Sequence, residues 1–598
     1  MIRDTLIHYI QQALKNIGVA EGDLALFTLE HPDELLHGDY STNAALVYAK
    51  KLGAKPRELA EKIVAELHNT KSDDQLAIFD HGVEKIDIAG PGFINFHLSQ
   101  TFFNKSISAV LSQGDKFGSS EIGSGKKILV EYSSPNIAKP FTVGHLRSTV
   151  IGDAIANILT FSGYEVVRDN HLGDWGTQFG KQIVALRKWG SLEALDKSEN
   201  KMRYLVDLYV KFHAEADIEK ESAGTTTLED EGRAAFAALE KGDKEAQALY
   251  EKIVAISMDY FLGIYARLNV STFDTQHGEH FYEKYIGPVM DDLTKAKLLE
   301  ESDGAQLIFF REPGMTMKDK HGNEIPKEKY PPFMIQKKDG STLYATRDLA
   351  TDKYRRDTYG SDITIVNEVG VEQALHFKQL FEVEEMLGYF KKNQRVHVAH
   401  GFYRFEDGKM STRKGNVIWL EDIIDEAVKR AGEINPATAD AVGIGAIKFN
   451  DLKRESSQDI IFSWDEMLNL TGDSCPYLQY SYARSISILE KAKAQGISPI
   501  VTDEANGVAV EPSSITTLEK LLYRFPEVIA RAGAEYQPHH IATYLLAIAA
   551  AFSTFYGSTQ IVSKDDPQSP HRAALTAAFA TVIKNGLTLL GIAVPEKM

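Results

Sequence analysis

The spacing of apolar residues changes character along this chain, and the changes mark its architecture. In the first hundred residues helical and strand spacings alternate. Leu59-Ala-Glu-Lys-Ile-Val-Ala-Glu-Leu67 places apolar side chains at helical intervals. Lys85-Ile-Asp-Ile-Ala89 and Phe93-Ile-Asn-Phe-His97 alternate like strands, and Gly90-Pro-Gly92 between them reads as a turn. From Lys127 the pattern differs. Lys127-Ile-Leu-Val-Glu131 is a short apolar run of buried-strand type, followed by a loop with Pro135 and Pro140, a helical pattern from Leu146 to Leu159, and a strand at Tyr164–Asp169. Strand, helix, strand in that order predicts a parallel nucleotide-binding sheet. Gly180 to about Leu268 is long, charged and helical, with an acidic stretch at Glu229–Glu231, and reads as an insertion. Strand signals return at Ile363–Val366 and Val396–Val398, and beyond about Ala441 the spacing is helical to the end.

A chain of 598 residues is too long for one hydrophobic core. The pattern predicts a multidomain α/β protein. An N-terminal α+β domain spans 1–112 and a Gly/Ser-rich linker 113–126. A Rossmann-type parallel-sheet domain spans 127–455 with a helical insertion at about 181–290, and an all-α domain spans 456–598.

Composition narrows the class. The N-terminus carries acidic and polar residues in its first turns, unlike a signal peptide. The longest apolar run, Tyr544 to Phe552, is far below the ~20 residues a membrane span needs. One cysteine, Cys475, excludes an intrachain disulfide and a cysteine-rich zinc site. These features predict a cytoplasmic chain with no membrane partner. The net charge of −18 counts mildly against nucleic acid as a partner, but phosphate contacts need only a local basic surface.

Two segments carry candidate chemistry. In Thr142-Val-Gly-His145, Gly144 lets backbone approach a ligand, and His145 falls at a helix N-terminus, which favours anions. A histidine donor there can stabilise charge developing on a phosphoryl group. Alone, these four residues favour the ordinary reading of a helix-start histidine with an exposed ring. The second segment, Gly408-Lys-Met-Ser-Thr-Arg-Lys-Gly415, combines three cations with hydroxyls and glycines, which suits a phosphate clamp.

Together with their surroundings these segments carry a resemblance. Glu131 to Gly180, including His171-Leu-Gly-Asp-Trp-Gly-Thr-Gln-Phe179, resembles the ATP-binding region of arginyl-tRNA synthetases, which are class I enzymes. The class signature is His-x-Gly-His; Gly144 and His145 match it, and Thr142 stands at the first histidine. A threonine hydroxyl still donates a hydrogen bond. The basic loop resembles the class I Lys-Met-Ser-Lys loop through Lys409, Met410 and Ser411, with Thr412 at the second lysine. Arg413, Lys414 or Lys139 can supply the missing charge.

Selectivity for arginine requires a carboxylate facing a guanidinium. Tyr344 and Asp348, four apart in a helical stretch, share one face. Ser341–Ala350 and Glu372–Gln379 resemble the arginine-binding elements of the family. The resemblance implies that Glu131, Asn136, Tyr344, Asp348 and Gln373 contact arginine. Asp348 is then the guanidinium partner, while Glu131 and Asn136 hold the backbone end. In the helical C-terminal region Tyr477, Tyr480 and Arg484 recur at spacings of three and four, and such side chains stack on unpaired bases. That region resembles the family's anticodon-binding domain. The ending Leu589–Met598 makes Met598 a candidate RNA contact, and Leu36–Ala45 resembles the family's additional N-terminal domain, which meets the corner of tRNA. The resemblance further implies ATP as substrate with Mg2+, no zinc, L-arginine and its tRNA as partners, and a monomer.

Overall fold

The computed structural model of the chain describes residues 1–69, 77–318, 324–404, 418–501 and 515–598. The first residues form α1 (Ile2–Asn16), β1 (Leu29–Glu30), β2 (Tyr40–Thr42), α2 (Ala44–Tyr48), α3 (Pro56–Asn69), β3 (Val83–Ala89), β4 (Phe93–Leu98) and α4 (Gln100–Gln113). The strands pair antiparallel in the order β1-β2-β4-β3. Leu59, Ile63 and Leu67 bury the apolar face of α3 against a core that includes Leu6, Tyr9 and Phe96, as their spacing predicts.

The expected linker is packed rather than free. Phe117 is buried and stacks on Phe525 at 6.1 Å, and the Asn585 amide donates to the carbonyls of Gly114 (3.0 Å) and Phe117 (3.2 Å).

Next come β5 (Lys127–Glu131), α5 (Val143–Phe161) and β6 (Glu165–Asp169). The helical insertion follows as α6 (Thr177–Trp189), α7 (Leu192–Lys197), α8 (Lys201–Ala223), α9 (Thr227–Glu240) and α10 (Lys244–Arg267), continued by the short α11 (Glu279–Tyr282) and α12 (Ile286–Lys295). An antiparallel sheet of β7 (Glu300–Ser302), β8 (Ala305–Lys318) and β9 (Glu324–Gln336) then precedes α13 (Tyr344–Tyr359), β10 (Thr364–Gly370), α14 (Ala374–Met386) and β11 (Arg395–His400). The apolar pattern does not announce β8 and β9. Both contain prolines, and only the base of the hairpin, at Ile308, Phe310, Phe333 and Ile335, is buried.

The main sheet is parallel with strand order β11-β10-β5-β6. Ile128, Leu129 and Val130 are all buried, as expected where helices cover both faces. The chain leaves β5 toward β6 on one side and returns as β10 on the other. The crevice between the C-terminal ends of β5 and β10 is therefore a topological switch point, where ligands bind in such sheets.

The remainder comprises β12 (Tyr403–Arg404), α15 (Leu420–Ile434), α16 (Ala439–Leu452), β13 (Ile460–Ile461), α17 (Trp464–Met467), α18 (Cys475–Ala494), α19 (Thr517–Leu522), α20 (Phe525–Glu535), α21 (His539–Ser558) and α22 (Ser569–Leu589). The strand-like run Val417–Leu420 is not a strand where it is described. Trp419 makes an isolated bridge with Thr142, and Leu420 opens a helix that buries Leu420, Ile423, Ile424 and Ala427. By length and composition α21 could cross a membrane, but half of its most apolar window is buried, and Phe552 stacks on Phe579 of α22 at 3.9 Å.

Two contacts bind distant parts of the chain. Tyr523 enters the N-terminal core among Tyr40, Phe102 and Phe103. Beside it Tyr40 donates to Glu527, and Asp39 lies 3.3 Å from Lys520. Within the Leu36–Ala45 segment Asp39 and Tyr40 thus form an interdomain joint, while Leu36 stays exposed. The second contact is Lys448, fully buried, which donates to the carbonyls of Leu268 and Gly591, each at 2.7 Å. Burial pulls its pKa down to about 8. Gly591 has φ +66°, and a Cβ there would come within 2.5 Å of the Lys448 ammonium. We expect Lys448→Met to leave both carbonyls unpaired and to lower stability by about 2–4 kcal/mol in urea unfolding. A loss below about 0.5 kcal/mol would show that the carbonyls find other partners.

Candidate active site

A cavity of about 750 Å³ opens at the switch point. Its walls come from the β5–α5 loop (Ser133, Ser134, Asn136), the start of α5 (Thr142 to His145, Arg147, Ser148), the end of β10 (Glu368 to Gly370), Gln373, and His400 to Arg404. The loop is strained: Ser133, Ser134 and Ala138 have φ of 70°, 44° and 60°. Such residues persist when their surroundings hold them. Here the Ser133 amide donates to Ser148 Oγ (2.9 Å), the Ser134 amide to Asn170 Oδ1 (3.1 Å) and the Ala138 amide to Ser257 Oγ (3.1 Å). Ser134 Oγ is buried and makes no hydrogen bond among the described residues, which leaves a hydroxyl at the cavity wall. Asn136 bridges to Gly173, where a Cβ would come within 2.5 Å of Asn136 Oδ1. That close approach explains the glycine inside His171–Phe179.

Thr142 is the N-cap of α5. Its amide donates to His145 Nδ1 at 3.0 Å, and its hydroxyl lies 3.1 Å from the same nitrogen. An N–H pointing at Nδ1 makes that atom an acceptor, so the ring proton sits on Nε2. The ring stacks on Phe141 at 4.9 Å. Burial lowers its pKa to about 4, and the positive charges of Lys139 and His400 act the same way. His145 is thus a neutral donor. Thr142, which the class pattern marks as a departure, orients it.

On the opposite wall His400 Nδ1 lies 2.9 Å from Glu368 Oε1. Burial disfavours the imidazolium, but the Glu368 carboxylate outweighs burial and raises the His400 pKa. Arg147, fully buried, pairs with Asp451 at 3.2 Å and donates to the carbonyls of Gln458 and Ser456.

Of the residues expected to hold arginine, Asn136 and Gln373 line this cavity. Tyr344 and Asp348 lie on the first turns of α13 and meet at one side chain, His376 of α14. Its Nε2 is 2.6 Å from Asp348 Oδ2, and its ring centre is 4.8 Å from that of Tyr344. The spacing-of-four argument for these two residues therefore describes a real shared face. Glu279, which the sequence does not single out, adds a second carboxylate. It is half-buried, and its carboxylate makes no hydrogen bond or ion pair among the described residues. Burial raises its pKa, and the charge of Asp348 pushes the same way. Glu131 is not free: Arg355 holds it at 2.6 Å, and the Asn367 amide donates to it at 2.9 Å.

Lys139 stands in the β5–α5 loop, with its amide 3.4 Å from the Asn136 carbonyl. Lys409, Met410 and Ser411, with the rest of their basic loop, lie outside the described residues. At the C-terminal end Tyr480 and Arg484 stack at 4.5 Å, and Arg484 also lies over Tyr556 of α21 at 5.0 Å. Tyr480 and Tyr556 are exposed, whereas Tyr477 is half-buried. Met598 is half-buried at the end of the tail after α22.

Three family models match along the chain: an arginyl tRNA synthetase N terminal domain at 4–98, a class I tRNA synthetase (R) catalytic domain at 106–464, and a DALR anticodon binding domain at 478–598. The catalytic-domain match alone covers more than half of the chain. The chain belongs to the arginyl-tRNA synthetases. An arginine–tRNA ligase of Clostridium perfringens is 41% identical over 585 residues, covering 95% of this chain and 96% of that protein. One from Alkaliphilus metalliredigens is 38% identical over 592 residues, covering 97% of each. The arginyl-tRNA synthetase structure of Thermus thermophilus has the same fold, with a TM-score of 0.76 at 24% identity and 100% coverage of both chains. The structure from Plasmodium falciparum gives a TM-score of 0.77 at 22% identity, covering 100% of this chain and 99% of that one.

Within this synthetase, motif reading does not single out Ser134, Glu279, Glu368, His376, His400 or Tyr556; Ser134 and His376 fall inside the segments Glu131–Gly180 and Glu372–Gln379 that carry the resemblance, and the other four have no local signal. We expect His145 to remain neutral, with its proton on Nε2, from pH 5 to 8 in ¹⁵N-resolved NMR titration; an inflection near 6.5 would contradict the Thr142 contact.

Proposed function

We propose that the chain ligates L-arginine to its cognate tRNA at this cavity, through an arginyl-adenylate, releasing AMP and pyrophosphate. The observation that carries the reading is the meeting of His145, Asn136 and Gln373 in one cavity at the sheet's switch point. A carboxylate oxygen of arginine attacks the α-phosphorus of ATP, and the bond to pyrophosphate breaks. The terminal ribose hydroxyl of tRNA then attacks the carbonyl carbon, and AMP leaves. No protein nucleophile is required; the protein positions the reactants and stabilises phosphoryl charge.

In this reading the Nε2–H of His145 donates to the α-phosphoryl oxygens as charge develops, held by Thr142, while Gly144 keeps the wall low. Lys409, Met410 and Ser411 clamp the leaving pyrophosphate together with Lys139, Arg413 or Lys414. Asp348 and Glu279 receive the guanidinium, and Tyr344 packs beside it. Glu131, Asn136 and Gln373 hold the amino and carboxylate end. Tyr477, Tyr480, Arg484 and Met598 face the anticodon arm, and Tyr556 joins their stack. Magnesium enters with the triphosphate. Among the described residues no cluster of His, Cys, Asp or Glu suits a metal ion on its own, and no step above runs through one. We further propose a monomeric, cytoplasmic enzyme without zinc, divided at about 112, 126 and 455.

Arginine-dependent ATP–pyrophosphate exchange, with and without cognate tRNA, tests the function, and no exchange under either condition would refute it. Asp348→Asn and Glu279→Gln should each raise the KM for arginine about 10- to 100-fold, the range for one charged hydrogen bond, and leave the KM for ATP near its starting value. Near-normal arginine affinity in both variants would remove them from the guanidinium seat. His145→Ala should slow single-turnover adenylate formation by roughly 10²–10³-fold. An unchanged rate would take His145 out of the mechanism.

A further inference from the structure

The cavity contains a second histidine outside the sequence motifs. His400 closes β11 and lies in register with Gly370 of β10, two residues beyond Glu368. Both Glu368 and His400 line the cavity, with side-chain exposures of 0% and 13%. A carboxylate only accepts hydrogen bonds, so the 2.9 Å contact places a proton on His400 Nδ1 and leaves Nε2 as the ring atom available to a ligand.

The charged and titratable groups near this ring are Glu368 and His397 on the sheet, Arg147 and His145 on α5, and Asp451 on α16, and Glu372, Tyr403 and Arg404, the last paired with Asp459, line the same cavity. Arg147 and Asp451 are committed to each other, and Asp451 also accepts from the Tyr403 hydroxyl at 3.0 Å. Glu368 Oε2 makes no hydrogen bond among the described residues. A buried carboxylate is tolerated where a cation pairs with it, and His400 is the group placed to do so.

We propose that His400 is a nucleotide-contacting residue of this cavity, clamped through Nδ1 by Glu368 and presenting Nε2–H as a cationic donor to a phosphate oxygen of ATP. The assignment rests on the reading of the cavity as the ATP site. It gives the two cavity histidines different tasks. His145 is kept neutral by burial and acts as a dipolar donor. His400, its pKa raised by Glu368, acts as a counter-ion at this wall. Environments that push two like groups apart are a usual sign of divided roles.

Equilibrium dialysis of ATP against the full chain, with adenosine as competitor, tests this. His400→Phe should weaken ATP about 10- to 100-fold, as loss of a charge-assisted hydrogen bond does, and change adenosine binding less than about two-fold. In the unmodified protein ATP affinity should fall as pH rises through an ionisation above 6.5. Glu368→Gln should move that fall to lower pH, because the group that raises the His400 pKa is gone. His400→Gln, which keeps a neutral donor, should bind ATP with intermediate affinity and no such pH dependence. The two Gln variants answer the question if the Phe variant does not fold. Unchanged ATP affinity in His400→Phe, equal loss for adenosine, or an unmoved pH profile in Glu368→Gln overturns the assignment. Failure of the unmodified chain to bind ATP at all overturns the cavity reading along with it.

Discussion

One buried guanidinium organises the catalytic half of this molecule. Arg355, from α13, reaches across the ends of the sheet to Glu131 of β5 at 2.6 Å and also pairs with Asp169 of β6 and, at 3.0 Å, Asp352 of its own helix. Asp352 in turn faces Arg395 of β11, which pairs with Glu384 of α14 and donates to Asn367 of β10; the Asn367 amide returns to Glu131. The network therefore touches all four strands of the parallel sheet and both helices that carry the expected arginine contacts. Burial disfavours ionisation of Asp352, but the two guanidinium groups outweigh it and hold its carboxyl well below the usual range. Burial pushes Glu384 the other way, and the charge of Asp352 adds to it. Such a cluster adds little net stability over an apolar core, but removing one member leaves buried charge and costs about 3–5 kcal/mol. Its contribution is to fix where Tyr344, Asp348, His376 and Glu131 stand.

The same logic sets the electrostatics of the cavity. Classical reasoning about a missing signature histidine treats Thr142 as a lost contact. The geometry gives it another task, because an N-cap whose amide points at Nδ1 decides which ring nitrogen of His145 is free to donate. In the proposed reading it is the tautomer, not the charge, that a phosphoryl oxygen uses on this side. Lys139, close enough to depress the His145 pKa, reinforces the neutral state.

The parallel sheet was legible because Ile128-Leu-Val130 is an unbroken apolar run, and the shared face of Tyr344 and Asp348 because they fall at helical spacing. Both are local signals. The unread parts are those made by residues far apart. Glu368 and His400 meet across two strands, Asp348 and His376 across two helices, and Arg484 and Tyr556 from helices 72 residues apart in sequence. Arg355 sits in the charged stretch Lys353-Tyr-Arg-Arg-Asp357, where spacing offers no hint of its burial. Glu279 looks like an ordinary acidic residue at a helix start. The β8–β9 hairpin was hidden because its outer half buries nothing, so no alternation was needed there.

Charge balance across the molecule follows from where these acids are placed. A net charge of −18 would oppose RNA if the acids were spread evenly. Internal pairing does not remove that excess, because the buried acids take cations with them: Asp352, Glu384, Asp169 and Glu131 take Arg355 and Arg395, Asp451 takes Arg147, and Asp39 takes Lys520. Arg484, by contrast, is held at the surface between two tyrosine rings and lies on no carboxylate. The Tyr523 joint ties the N-terminal domain to the C-terminal helices, and the Lys448 clamp ties the end of α10 to the tail after α22. Net acidity is compatible with RNA recognition because a strand meets only the local surface, and in the proposed reading that surface carries Arg484 between two exposed tyrosine rings.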